Sequence, residues 1–540
     1  MAYERILMAA GLVAGLAAGL TMTPLAPAGA QKSGGTLRVY FFDSPASMSI
    51  HEESTIAGQG PMMGVFNNLV MYDQHVPQSG LKSIVPDLAT SWSWDAAGTG
   101  LTFKLRPDVA WHDGKPFTAR DVKCTWDLLR GEGSGGGGET LRVNPRKEWY
   151  RNLDQVTTNG DLEVTFRLKR PQPAFIALIA SGFSPVYPCH VAPAEMRRRP
   201  IGTGPYKFVE FKPNEIIRVV RNPDYWKKGR PYLDGITYKI IKSQSTGVLT
   251  FLAGDVDITS PFFLQVPVLN DIKAQAPAVS CQLVPTNVQR NVMINRDALP
   301  FNRPELRRAV ALTLDRRAFI DTLTQGKGDI GGVLLAPPEG IWGMPAELMQ
   351  KLPGYDPDVA RNRAEANKIM AAAGYSADNR LKLKISTRNI APYRDPAVIL
   401  IDQLKKIHIE AELDVLDTTQ WYPKIRRRDF TIGANLTGNG IDDPDQTFYE
   451  NYSCKSESNY DGYCNPEIDR LFDQQSMEAD QDKRKKMVWD IERRLAEDVA
   501  RPVLYHNRSG TCWQPYVKGY TPMVNSIYNG MRLEDVWLDR

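Results

Sequence analysis

Leu101-Thr102-Phe103-Lys104-Leu105 alternates apolar and polar positions with period two, the pattern of a strand with one buried face. The turn Trp111-His112-Asp113-Gly114-Lys115-Pro116 follows, and Thr118 stands where it can cap a helix carrying Val122, Trp126 and Leu129 on one face. Similar patterning predicts strands over 34–41, 216–220 and 236–241, the last two flanking the turn Arg221-Asn222-Pro223-Asp224. Residues 44–50 are too rich in Ser and Pro to extend the first strand, and loops at strand ends are where α/β proteins hold ligands. Further on, Asn302 is the expected cap of a long helix with Leu306, Val310 and Leu314 on its apolar face. A helix over 357–374 leads to a strand over 381–385, and another helix is expected from Pro396 to about Ile407. Met487, Ile491, Leu495 and Val499 recur every four residues on one helix before a strand at 503–505. Strands and helices mix without a repeat, which excludes solenoids and propellers.

The N-terminus has a different pattern. Arg5 precedes an apolar run over 6–20, and a Pro-rich, small-residue stretch then leads to Ala28-Gly29-Ala30. This is the layout of an export signal, with cleavage expected before Gln31. The run, diluted by Gly11, Gly15 and Gly19, is shorter than the ~20 residues that span a bilayer. No Cys follows it to accept a lipid, so a soluble, periplasmic mature chain is expected.

With 540 residues, 42% hydrophobic and 24% charged, the chain can bury a large core divided among about three domains of ~150 residues. Its 66 basic and 62 acidic residues leave +4, too little for nucleic-acid binding by bulk charge. In an exported protein of this size the six cysteines act as local clips. The short spacing makes Cys454 and Cys464 the best pair. There is no C-x-x-C, and the six His are scattered, so no metal or other cofactor is expected. Glu139 stands where a phosphate-binding loop after Gly131–Gly138 would need Lys-Ser or Lys-Thr.

Val85-Pro86-Asp87-Leu88-Ala89 with Ser91-Trp92, the strand 101–106, Trp111 to Ala119 and Asp121-Val122 resemble the signature region of bacterial extracellular solute-binding protein family 5, the peptide-, dipeptide- and nickel-binding proteins of ABC importers. The resemblance continues through Gly202-Thr203-Gly204-Pro205-Tyr206, Arg221 to Trp226, Phe301-Asn302, Arg307-Arg308-Ala309, Asp315-Arg316, Asp443-Pro444-Asp445 and Tyr463 to Asp469. It implies an α/β, two-lobed class II periplasmic-binding-protein fold with an additional domain inserted in lobe I. Lobe I would take 31–73, 200–286 and 507–540, domain II 74–199, and lobe III 287–506. This division implies that Cys124 and Cys189 share domain II and that Cys281 and Cys512 lie near the two lobe crossings. Connectivity beyond Cys454 to Cys464 stays open. The implied function is capture of a small organic solute or peptide between hinged lobes by a monomer that delivers it to the ABC permease subunits, without catalysis.

In peptide-binding members of the family, an Asp four residues before the Asp-Pro proline pairs with the ligand ammonium. Here the proline is Pro444 and the matching position is Gly440, beside Asn439; Asp442 and Asp443 could substitute from a shifted position or simply form a turn. Arg388, Tyr393 and Arg394 precede the helix expected from Pro396 and would suit an anionic group. Trp342, Trp421 and Tyr422 are candidates for an apolar ligand wall or for core, and His51 is a further cleft candidate. The rival reading is a secreted hydrolase acting on glycosides or peptides. It lacks G-x-S-x-G, and His51-Glu52-Glu53-Ser54-Thr55 lacks the second His of a zinc protease. Nickel or haem binding gains little from the Cys and His placement.

Overall fold

The computed structural model describes residues 31–540, so the expected export signal lies outside the described residues. Three sheets organise the chain. In the first, Thr36–Phe41 pairs in parallel with Gly235–Ile240, which continues antiparallel to Ile216–Arg221 and Tyr206–Lys212. The second is antiparallel, in the order Ala89–Trp94, Gly100–Leu105, Glu163–Leu168 and Leu153–Thr158. The third has five strands, ordered Ile409–Leu416, Leu381–Arg388, Ile432–Gly438, Ser280–Ile294 and Val503–Trp513.

The period-two segment forms as expected because Leu101, Phe103 and Leu105 all turn inward. The helix Ala119–Arg130 starts at Thr118 through a capping box with Asp121 and buries Val122, Trp126 and Leu129. Other boundaries shift. Asn302 is not a cap: Arg303 precedes Pro304–Thr313, and Asp315 caps a second helix, Arg316–Thr324, by accepting from Ala318 N. Asp358 caps Val359–Ala372. The helix expected at Pro396 begins earlier, as Ala391–Lys405 with Pro392 in its first turn, so Pro396 lies inside it. Val499 lies past the end of Gln481–Glu497, at φ +51°.

Ser280–Ile294 and Val503–Trp513 are the longest strands and pair with each other antiparallel. One end of this ribbon meets the first lobe through Ile258 to Trp513 and Leu264 to Gly510 bridges, and the other belongs to the five-stranded sheet. Its register slips between Pro285 and Gln289, where Asn287 adopts φ +52°. Separate apolar cores lie on the two sides. One includes Leu37, Phe41 and Phe103, and the other includes Val292, Leu306, Leu400 and Leu404. The first core also takes in Ile390, Tyr393 and Ile441 from the far side, as lobes packed shut require, whereas the second lies wholly on one side, and the slip is where the ribbon can bend.

All six cysteines pair, as Cys124–Cys189, Cys281–Cys512 and Cys454–Cys464. Cys281 and Cys512 lie opposite each other on the crossing ribbon, so their disulfide clips the two strands together.

Candidate functional site

The ribbon and the ends of the flanking strands enclose a cleft with about 910 Å³ of empty space, part of it open to solvent. Phe42, directly after the first strand, stacks on Phe263 with ring centroids 4.0 Å apart. Phe262, also in this wall, holds φ +58° while its N–H donates to Thr511 Oγ1 at 2.9 Å. A bulky residue in that region is strained, and such strain persists where surrounding structure enforces it. Tyr393, Tyr422 and Tyr460 also line the cleft, with Tyr528 from the C-terminal segment and Arg290, Asn507 and Ser509 from the ribbon.

The lobes touch beside the cleft. Arg388, at the end of its strand, forms a buried ion pair with Asp43, which follows the first strand. The Thr418 hydroxyl accepts from Arg388 Nη2 at 2.8 Å and donates to Asp43 Oδ2 at 2.7 Å, and Arg388 Nη1 donates to the Tyr393 hydroxyl at 2.7 Å. Burial by itself would lower the Arg388 pKa, but Tyr393, Tyr422 and Asp43 outweigh it and hold it above its ordinary value. Arg426 donates to Ser54 Oγ at 3.2 Å, and Trp149 Nε1 donates to Glu450 at 2.9 Å. Burial raises the Glu450 carboxyl although Arg146 opposes it. These contacts describe a closed arrangement.

Of the expected site residues, Arg388, Tyr393 and Tyr422 line the cleft. The others need correction. Arg394 points outward, its side chain 45% exposed and beside Asp395, because it lies on the outer face of a helix that begins before it. Trp421 is wholly buried among Met293, Ile425, Phe430 and Tyr460, which makes it core. His51 is also wholly buried; its Nε2 meets the Pro185 carbonyl at 2.9 Å, and desolvation lowers its pKa to about 3. Trp342 and Asp442 line a different cavity, where Trp342 Nε1 donates to the Asp442 carbonyl at 2.9 Å. Burial pushes the Asp442 carboxyl up to about 7. Asp443 is bound by Arg484 and caps Pro444–Asn451. Asn439 is buried against Asn287, and Gly440 donates its N–H to Gln446 at 2.8 Å while its carbonyl accepts from Ser526 and Asn529. A Cβ at Gly440 would sit 3.0 Å from Ser181 Oγ, so there is little room for an acid there. The anionic subsite expected at Arg388 and Arg394 does not form, because Asp43 already neutralises the first and solvent surrounds the second.

Sequence reasoning missed Phe42, Phe262, Phe263, Arg290, Glu450 and Tyr528. Pro261-Phe262-Phe263 after a buried segment carried a usable signal, as did Phe42 at a strand end. Arg290 is one polar residue among several in a strand, and nothing local marks it. Among the described residues no group of His, Cys, Asp and Glu is placed to hold a metal, and no helix is long and apolar enough to cross a membrane.

A family model described as bacterial extracellular solute-binding proteins, family 5 Middle, matches residues 83–459. The oligopeptide-binding protein AppA of Bacillus subtilis is 27% identical over 467 residues, covering 82% of this chain and 81% of the relative. The crystal structure of Haemophilus influenzae OppA in complex with the peptide RPPGFSPFR superposes with a TM-score of 0.82 at 22% identity, covering 94% of this chain and 99% of that one. AgaA of A. tumefaciens R10 in complex with agropinic acid superposes with a TM-score of 0.80 at 22% identity and the same coverage.

Proposed function

Because this chain belongs to the family 5 bacterial extracellular solute-binding proteins, we propose that it is the periplasmic solute-binding protein of an ABC importer, trapping a peptide or small organic solute in the cleft between its lobes. The observation that carries this reading is the cleft itself. Aromatic residues of both lobes line it, and the Asp43–Arg388 pair requires the lobes to meet. A solute touching both lobes stabilises the closed form by its differential contacts, and the closed form is what the permease subunits read. We take lobe I as 31–73, 200–286 and 507–540, domain II as 74–199 and lobe III as 287–506, which places the hinge at the register slip near Asn287. The mature protein begins near Gln31 and acts as a monomer without turning its solute over.

Mass spectrometry of solute released by unfolding the protein purified from a periplasm tests this reading. One solute class, near one equivalent and chemically unchanged after long incubation, is expected. Conversion of the solute, or a protein that takes up neither a tryptic peptide pool nor a pool of small organic solutes, would overturn it.

A further inference from the structure

Arg290 lies in the middle of the ribbon strand Ser280–Ile294, opposite Leu436 on one side and Tyr505 on the other, so its backbone is held from both edges. Its side chain is 4% exposed and forms part of the cleft wall. Nε and Nη1 have no hydrogen-bond partner, and none of the ion pairs among the described residues includes Arg290. Several other buried arginines meet a carboxylate or carbonyls even where one nitrogen is left over: Arg484 meets Asp443, Arg501 meets Asp461, Arg532 meets Asp87, and Arg316 donates to the Val503 and Gly354 carbonyls. The polar cleft groups on the flanking strands, Asn435, Thr437, Asn507 and Ser509, are neutral, and the carboxylate in the wall, Glu450, is engaged by Trp149 and Gln446. Tyr505, opposite Arg290 on the ribbon, supplies no counter-charge: burial raises its hydroxyl pKa, although the Arg290 charge and a hydrogen bond with Arg290 pull it the other way. A guanidinium taken out of water without a counter-charge is costly, and a cleft retains one where the missing charge arrives with the ligand.

We propose that Arg290 is the anion-recognition residue of this cleft, its uncompensated guanidinium binding a carboxylate of the trapped solute through charge-assisted hydrogen bonds. The inference rests on the reading of the cleft as the solute site. The solute class is thereby a carboxylate, either the C-terminus of a peptide or a free organic acid, and the anchor is on the crossing ribbon instead of the strand end that carries Arg388. Because Arg388 is satisfied by Asp43, the two arginines divide the work: one closes the lobes, the other holds the acid.

The test uses the full mature protein, freed of solute by unfolding and refolding, with Arg290→Met and Arg290→Lys variants. The probes are a tryptic digest of casein, the same digest methyl-esterified, and a mixture of small dicarboxylates, read by calorimetry and thermal melting. Arg290→Met is expected to weaken binding at least 30-fold and Arg290→Lys less, with esterification abolishing binding if a peptide is the source. Binding of the dicarboxylates alone, lost in Arg290→Met, assigns a free acid instead. Binding that survives Arg290→Met within threefold, or esterified peptides that bind as well as the free ones, overturns the assignment while leaving solute capture standing. If neither pool binds, solute capture fails for these classes and the solute-free melts decide the role of Arg290. An Arg290→Met protein melting at or above the wild type supports an unpaired, ligand-directed charge, and one melting several degrees below marks a structural arginine and overturns the proposal.

Discussion

Asp43→Asn removes one charge from the pair that joins the lobes. In the closed form both side chains are almost fully buried, 2% exposed for Arg388 and 4% for Asp43. In an open form both return to water. The substitution therefore leaves Arg388 buried and uncompensated only when the cleft shuts. Removing one partner of a buried pair costs ~3–5 kcal/mol. Here that cost falls on the closing equilibrium, since the open form hydrates the orphaned guanidinium. With ~1.4 kcal/mol per power of ten, closing weakens by roughly two to three and a half powers of ten. A solute that binds the closed form loses affinity by the same factor, because its competent state is populated that much less. Calorimetry with the solute recovered from the purified protein measures the loss. The double variant Asp43→Asn with Arg388→Gln should regain at least tenfold over the single one, since no charge is then stranded. A single variant within threefold of wild type would refute the reasoning, as would a double variant no better than the single, because the pair would then not be coupled across the cleft.

Other outcomes follow from the same geometry. Burial holds His51 near pH 3 and His112 near pH 4, below the unperturbed value of 6.5. Each is neutral in the fold and charges on unfolding, so its contribution is present above pH 6.5 and is lost as pH falls towards the folded value. Between pH 7 and pH 4 His51 alone should cost roughly 3 kcal/mol, and His51→Gln should flatten that slope in denaturant titrations; an unchanged slope would mean that other groups carry the acid sensitivity. Gly440→Asp, which restores the acid found in peptide-binding members of the family, should lower stability by roughly 2–4 kcal/mol without improving peptide binding, because its side chain meets Ser181 and Tyr528. Tighter peptide binding by a well-folded Gly440→Asp protein would contradict the placement of that residue outside the cleft.

Much of the fold was legible because its signals are local. The alternation at 101–105 and the Thr118 cap need only neighbouring residues, and both form as the pattern dictates. The misplaced helix starts have local causes as well. Pro396 has the composition of a first turn, but Pro392 takes that place, and Pro304 moves a cap from Asn302 to Arg303. The site was legible only in part, since a cleft is made by segments far apart in sequence. Arg388, Tyr393 and Tyr422 reach it, whereas Arg394, one residue after Tyr393 on the same helix, faces solvent. One helical step of 100° decides between the two, and shifting the helix start reverses the assignment. Arg290 carries no local mark: its burial and lack of partners arise from the pairing of a ribbon whose strands lie more than 200 residues apart.

Closure around a solute is the central event, and an inter-lobe distance reports it most directly. Spin labels at Leu249→Cys and Val398→Cys, both well exposed at 66% and 52%, report from opposite sides of the hinge by double electron resonance. In protein stripped of solute a longer distance should dominate, and saturation with the recovered solute should replace it by a single shorter one. A distance that stays the same while calorimetry shows the solute bound would contradict capture by closing lobes.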